Sequence, residues 1–71
     1  MSKAITTANG NTMEIEVGNT YEIQHWYSQT ARLVKVTKIE DDLIHMVSMT
    51  GAERIRMTDH KAGHFTWEVA A

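Results

Sequence analysis

His25, Trp26 and Tyr27 stand side by side, and their types point most directly to contact with another molecule. Trp and Tyr are among the side chains most enriched at the energetic centres of protein interfaces. Both also offer flat faces on which the bases of a single strand can stack. If the trio lies where a strand passes into a loop, alternation sends Trp26 and Tyr27 to opposite faces, leaving at least one large aromatic exposed or on a rim. The competing expectation is structural: Trp26 closes the open end of the domain and Tyr27 lies flat on its surface. Gln29 in the same stretch, with Arg54 and Arg56 further along, would add a polar rim to a contact centred on the aromatics.

The remaining polar clusters point to less. His60 and His64 have the i, i+4 spacing that shares one helix face. Gly63 falls between them, however, and a third ligand would have to come from Asp59, His25 or His45. Without cysteine or a His-Glu metal motif, neither a metal nor any other cofactor is expected. His45 sits inside the apolar run Leu43 to Met49, where a histidine is expected at the core edge, hydrogen-bonded to backbone. Were it buried and neutral, protonation would cost stability below about pH 6. Glu40-Asp41-Asp42 lacks the glycine and ligand spacing of a calcium loop and reads as a solvated turn. Arg54 and Arg56 share a strand face, Lys35 belongs to the same meander, and Arg32 would extend this basic stripe. Ser28 near His25 is the one nucleophile–base pair close in sequence, with no glycine-rich elbow around it. A chain this short would need an oligomer to build a pocket, so no enzyme is expected.

The elements that carry these residues must be economical. The chain has 71 residues, no cysteine and no proline, which is the size of one domain. Within it, residues 1–12 read as an N-terminal strand and hairpin arm and residues 13–70 as a barrel. So small a fold buries only about 60% of its unfolded surface, so its stability is marginal and a homo-oligomer would be a way to bury more. Seven Lys and Arg against nine Asp and Glu give a net charge of −2. A dedicated nucleic-acid binder neutralises phosphates and is normally basic, which makes nucleic acid the weaker partner class. Absence of cysteine fits a reducing compartment. Met1 to Thr7 carry no apolar run of signal-peptide length and no stretch reaches membrane-span length, so the expected location is cytoplasmic, with no membrane partner.

Turns must come from Gly, Asn and Asp. Asn9-Gly10 is the strongest hairpin signal and points to a type I′ turn between Ala4–Thr7 and Thr12–Glu16. Met13, Ile15 and Val17 alternate against Glu14 and Glu16, and Tyr21 and Ile23 against Glu22 and Gln24. Trp26 to Thr30 loses the alternation. In Ala31 to Ile39, Val34 and Val36 share a parity that Ile39 does not, so a bulge is expected near Thr37. Leu43 to Met49 reads as a strand buried on much of both faces, and Ile55 and Met57 point inward from the next. Thr58 to Gly63 can form one helical turn, capped by Thr58 or Asp59 and ended by Gly63. Phe65, Trp67 and Val69 share the last inward face, and Met13, Met46, Met49 and Met57 read as core filler.

Five or six short strands at this spacing predict an all-β fold, a small, partly open antiparallel barrel with one helical turn. The layout resembles that of the SH3-like barrels over about residues 13–70. Val17-Gly18-Asn19-Thr20-Tyr21 resembles their lead-in, Trp26 to Thr30 their long loop, and residues 31–57 their three-strand meander. Asp59 to Ala62 matches the helical turn and Phe65 to Val69 the final strand. The functional expectation is a non-enzymatic module that binds another protein, a regulatory or inhibitory accessory by analogy with small bacterial and phage β domains. Binding would rest on desolvated aromatic anchors or on a barrel edge that accepts a strand. Two alternatives stand beside it. One is single-stranded nucleic-acid binding, with Trp26 and Tyr27 stacking while Arg32, Lys35, Arg54 and Arg56 track phosphates. The other is a self-assembling structural subunit.

Overall fold

The computed structural model describes residues 1–70. It contains seven strands and one helical turn: β1 (Ser2–Thr6), β2 (Thr12–Glu16), β3 (Thr20–His25), β4 (Ala31–Glu40), β5 (Leu43–Ser48), β6 (Arg54–Thr58), α1 (Asp59–Ala62) and β7 (Phe65–Val69). β1 and β2 form a separate hairpin. The other five make one antiparallel sheet in the order β6-β5-β4-β3-β7. The fold is therefore all-β, as the alternation predicts, but the sheet does not close: β6 and β7 remain its two edges.

β4 is the shared element, pairing with β3 through its first half and with β5 through most of its length. Its register to β5 steps from Val36–Met46 to Lys38–His45, leaving Thr37 as the extra residue of a bulge. Thr37 and Lys38 both face out, which returns Ile39 to the buried side with Val34 and Val36. Leu33, which no bulge rescues, lies half-exposed on the outer side. Cross-strand partners share a face, so the inner face carries Tyr21, Ile23, Val34, Val36, Ile39, Ile44, Met46, Met57 and Trp67, all buried. β5 is buried fully at Ile44, Met46 and Ser48 and only partly at Leu43, His45 and Val47.

Ile5 and Ile15 carry the hairpin onto this core. Lys3 Nζ ties β1 to α1 through Asp59 (3.0 Å) and also bonds the Asp41 carbonyl, while the Ala8 N–H donates to the Phe65 carbonyl at 2.8 Å. Tyr21 is fully buried. Its hydroxyl accepts from the Glu16 N–H (2.9 Å) and from Asn19 Nδ2 (3.3 Å), and its ring meets Trp67 edge-on. The Trp67 indole N–H donates to the Ala62 carbonyl at 3.1 Å, which seats α1 on β7. As expected, Thr58 caps α1 through the Lys61 N–H. Gly63 ends it where a Cβ would stand 3.1 Å from the Thr6 carbonyl oxygen.

Two expectations are corrected. Asn9-Gly10 is at the hairpin tip, but the turn is not type I′, which needs positive φ at both central residues. Only Gly10 has it (85°), and the Gly10 N–H donates to the Thr7 carbonyl at 3.0 Å. The buried Thr7 hydroxyl, bonded to Asn9 Oδ1 and the Asn11 carbonyl, holds this wider loop. Val17, Met49 and Val69 have inward-type parity or an apolar context yet are exposed, because each lies at or just past a strand end where no neighbour covers it. In the Thr50–Ala52 turn, Ala52 takes the left-handed conformation, at φ 54°.

Two stability measurements check this packing. Ile44→Ala should lower the unfolding free energy by about 2–5 kcal/mol, whereas Met49→Ala should stay within about 0.5 kcal/mol of wild type in urea titrations. Ala52→Gly should stabilise by about 0.5–1 kcal/mol, since a left-handed residue other than glycine carries roughly 1–2 kcal/mol of strain, part of it offset by the freedom glycine loses on folding. An unchanged or lowered urea midpoint for that variant would contradict the strain.

Candidate functional site

β3 ends at His25, and this ending shapes the aromatic cluster. His25 pairs with Phe65 across the β3–β7 ladder and occupies the inward slot, its ring 4.8 Å from that of Phe65. The ladder continues by one bond, from the Trp26 N–H to the His64 carbonyl (2.9 Å). The chain then turns: the Ser28 N–H returns to the His25 carbonyl at 2.9 Å, Gln24 Nε2 donates to the Ser28 carbonyl at 2.7 Å, and the Thr30 N–H donates to Ser28 Oγ at 3.1 Å. Strand alternation thus stops before it can separate the two aromatics. Trp26 and Tyr27 lie together, 5.0 Å between ring centroids and edge-on, with the His25 ring 3.9 Å from Tyr27. The expectation of opposite faces is overturned by this turn.

Trp26 is 65% exposed and Tyr27 72% exposed. Trp26 therefore does not cap the domain; His25 and Phe65, both half-buried, face inward at this end. Gln29 is exposed on the same loop. His25 Nδ1 is buried with no hydrogen-bond partner.

Beside the loop, the unclosed sheet leaves a groove of about 590 Å³ lined by Ile23, Ile55, Met57 and Phe65, with His25 and Arg32 among its polar residues. Arg32 pairs with Ile23 across β3 and β4 and so faces this side, where its guanidinium stands 3.8 Å from Glu53. It does not extend the basic stripe. The groove was not legible in the sequence: parity pointed Ile55 and Met57 inward, but what stands across from them depends on which strands pair.

The basic residues collect on the other face. Lys35, Val47 and Arg54 form one cross-strand row, and Lys38, His45 and Arg56 the next. Arg54 and Arg56 line a second groove there with Lys38 and His45, apart from Trp26 and Tyr27, so the expected rim of the aromatic contact lacks them. His45 is not bonded to backbone. Its Nε2 donates to Glu40 Oε1 at 2.6 Å, and Lys38 Nζ is 4.0 Å from the same oxygen. The His45 hydrogen bond, with the Lys38 charge behind it, lowers the Glu40 pKa below its ordinary 4.5.

The histidine pair shows no ligand geometry. α1 ends at Ala62, before His64, and the His60 and His64 rings meet edge-on at 5.0 Å. Among the described residues no three His, Cys, Asp or Glu side chains stand where they could hold a metal ion. Ser28 Oγ accepts from Thr30 N–H, and no bond joins it to His25. Among the described residues no helix is long and apolar enough to cross a membrane.

Set against protein-family models, curated proteins and solved structures, the chain matches none of them. What fold and site define together is a small all-β domain with an open five-stranded sheet and an exposed aromatic pair.

The Glu40–His45 bond makes one acid-sensitive contact on the basic face. A carboxylate whose pKa is depressed on folding contributes stability that is present above its unfolded value and lost as pH falls through the folded one. Wild type should therefore lose stability relative to Glu40→Gln as pH drops below 4.5, with no such differential loss between pH 7 and 5. Urea midpoints of both proteins across pH 3 to 7 read this directly, and a parallel pH dependence would contradict the pairing.

Proposed function

We propose that this chain is a non-enzymatic interaction module that binds another protein, with Trp26 and Tyr27 as its anchors and His25 and Gln29 beside them. One observation carries the reading: two large aromatics, 65% and 72% exposed, stand edge to edge on a loop fixed by four hydrogen bonds. Exposed aromatics on a braced loop lose little conformational entropy on binding, so their desolvation in a partner pocket contributes nearly in full. A likeness of layout to the SH3-like barrels, an accessory role in regulation or inhibition, and a cytoplasmic setting belong to the same reading.

Single-strand nucleic acid is the less favoured partner. Base stacking works together with a basic groove that tracks the backbone, whereas here Lys35, Lys38, Arg54 and Arg56 occupy a face separate from the aromatics.

Capture of a partner from host lysate at 200 mM salt tests the reading. Wild type should retain a discrete protein, and the Trp26→Ala, Tyr27→Ala variant should lose it, since truncating a central aromatic anchor costs about 2 kcal/mol or more, roughly 30-fold in affinity. Both residues are exposed, so the variant should stay folded and lose no more than about 1.5 kcal/mol, the worth of the ring contacts it gives up. Retention of nuclease-sensitive material alone, lost between about 50 and 200 mM salt, would replace this reading with nucleic-acid binding.

A further inference from the structure

The open edge of β6 borders the apolar groove, and its hydrogen-bonding pattern can be worked out. In an antiparallel pair, opposed residues alternate between those that exchange backbone bonds and those that do not. The Ser48 N–H donates to the Glu53 carbonyl at 2.8 Å. The alternation from that bond makes Met46–Ile55 and Ile44–Met57 the bonded pairs of the β5–β6 register. The backbone N–H and C=O of Arg54 and Arg56 therefore point away from β5, along the free edge. Among the described residues no backbone bond outside the ladder reaches either one. Thr58 is already engaged as the cap of α1, which leaves two outward-bonding positions of the edge, Arg54 and Arg56.

The side chains along this edge say what it would accept. Arg54 and Arg56 project to the convex face, and among the described residues neither forms a salt bridge. Ile55 and Met57 project into the groove, opposite Ile23 and Phe65. A strand added at β6 would thus place alternate residues opposite two uncommitted arginines and the intervening ones over an apolar trough. Opposite charges directly across a strand pair stabilise it and like charges destabilise it. A second copy of β6 is for that reason a poor occupant, because antiparallel self-pairing brings arginine against arginine.

We propose that the β6 edge takes up an extended peptide segment in which acidic and apolar residues alternate, hydrogen-bonded to Arg54 and Arg56 with its apolar side chains in the groove. This is strand addition with charge-selected register. It rests on the reading of the chain as a protein-binding module and names the chemistry of a partner.

Two blocked hexapeptides test it, one alternating Glu and Val, the other alternating Lys and Val. Each is titrated into the full-length chain and followed by amide NMR. The acidic peptide should shift the Arg54 and Arg56 amide signals, slow their hydrogen exchange, and bind about tenfold more tightly than the basic one. The Arg54→Glu, Arg56→Glu variant, whose fold the same spectra check, should invert that preference. Equal affinities, a preference unchanged by the charge reversal, or shifts confined to residues outside β6 and the groove would each overturn the proposal. The Trp26→Ala, Tyr27→Ala variant keeps the two readings apart. Loss of partner capture in that variant together with no peptide preference in wild type sinks the edge and leaves the aromatic contact. Peptide bound at β6 with partner capture unaffected by that variant does the opposite.

Discussion

β4 has to serve two partners with one run of ten residues, and the Thr37 bulge is what allows it. A one-residue slip of register would exchange the two faces of a strand. Without the extra residue, Lys38 would enter the core and Ile39 would face water. With it, Val34, Val36 and Ile39 all reach the inner face, and Ile39 meets Ile44 on β5. The same insertion lines up Lys38, His45 and Arg56 on the outside, so the core and the basic convex face have one origin.

How the core is covered follows from how few residues there are. Five strands give an inner face larger than one helical turn can shelter, and the β1–β2 hairpin covers the part around Tyr21, Val36 and Ile39 with Ile5 and Ile15. The part around Ile55 and Phe65 is left only half covered. A chain of 71 residues has limited apolar surface to spend on its own interior, and what lies outside the hairpin's reach becomes the groove. Openness here is a matter of topology: β6 and β7, joined through α1 and Gly63, stand at the two ends of the strand order as unpaired edges.

Local periodicity carried much of the fold. The alternation in residues 12–16 and 20–25, the parity break at Thr37, and the Thr58 and Gly63 boundaries of α1 all depend on neighbours within a few residues, and each is found in the structure. What failed depended on distant partners. The Asn9-Gly10 turn widened because the Thr7 hydroxyl, buried by tertiary packing, competes for its backbone. Residue type alone places Arg32 in the basic stripe, yet its pairing with Ile23 turns it to the inner side. The His45 ring meets Glu40 in place of a backbone carbonyl because the β4–β5 turn sets Glu40, opposite Leu43, on the same face and diagonal to it.

The aromatic loop shows both limits in three residues. Position alone made His25-Trp26-Tyr27 worth singling out, since a strand followed by a loop cannot bury three large rings in succession. Which ring goes inward was decided by the β3–β7 register: His25 faces Phe65, and the ladder stops one bond later. Had the strand run one residue further, Trp26 and Tyr27 would have been split between faces and neither could support the other. By turning at Ser28, the chain leaves both rings in water but against each other, with His25 beneath Tyr27. Edge-on ring contacts of this kind contribute about 0.5–1.5 kcal/mol beyond area burial. That is enough to hold a pair of exposed side chains in one arrangement and too little to account for leaving so much aromatic surface uncovered in a domain short of core.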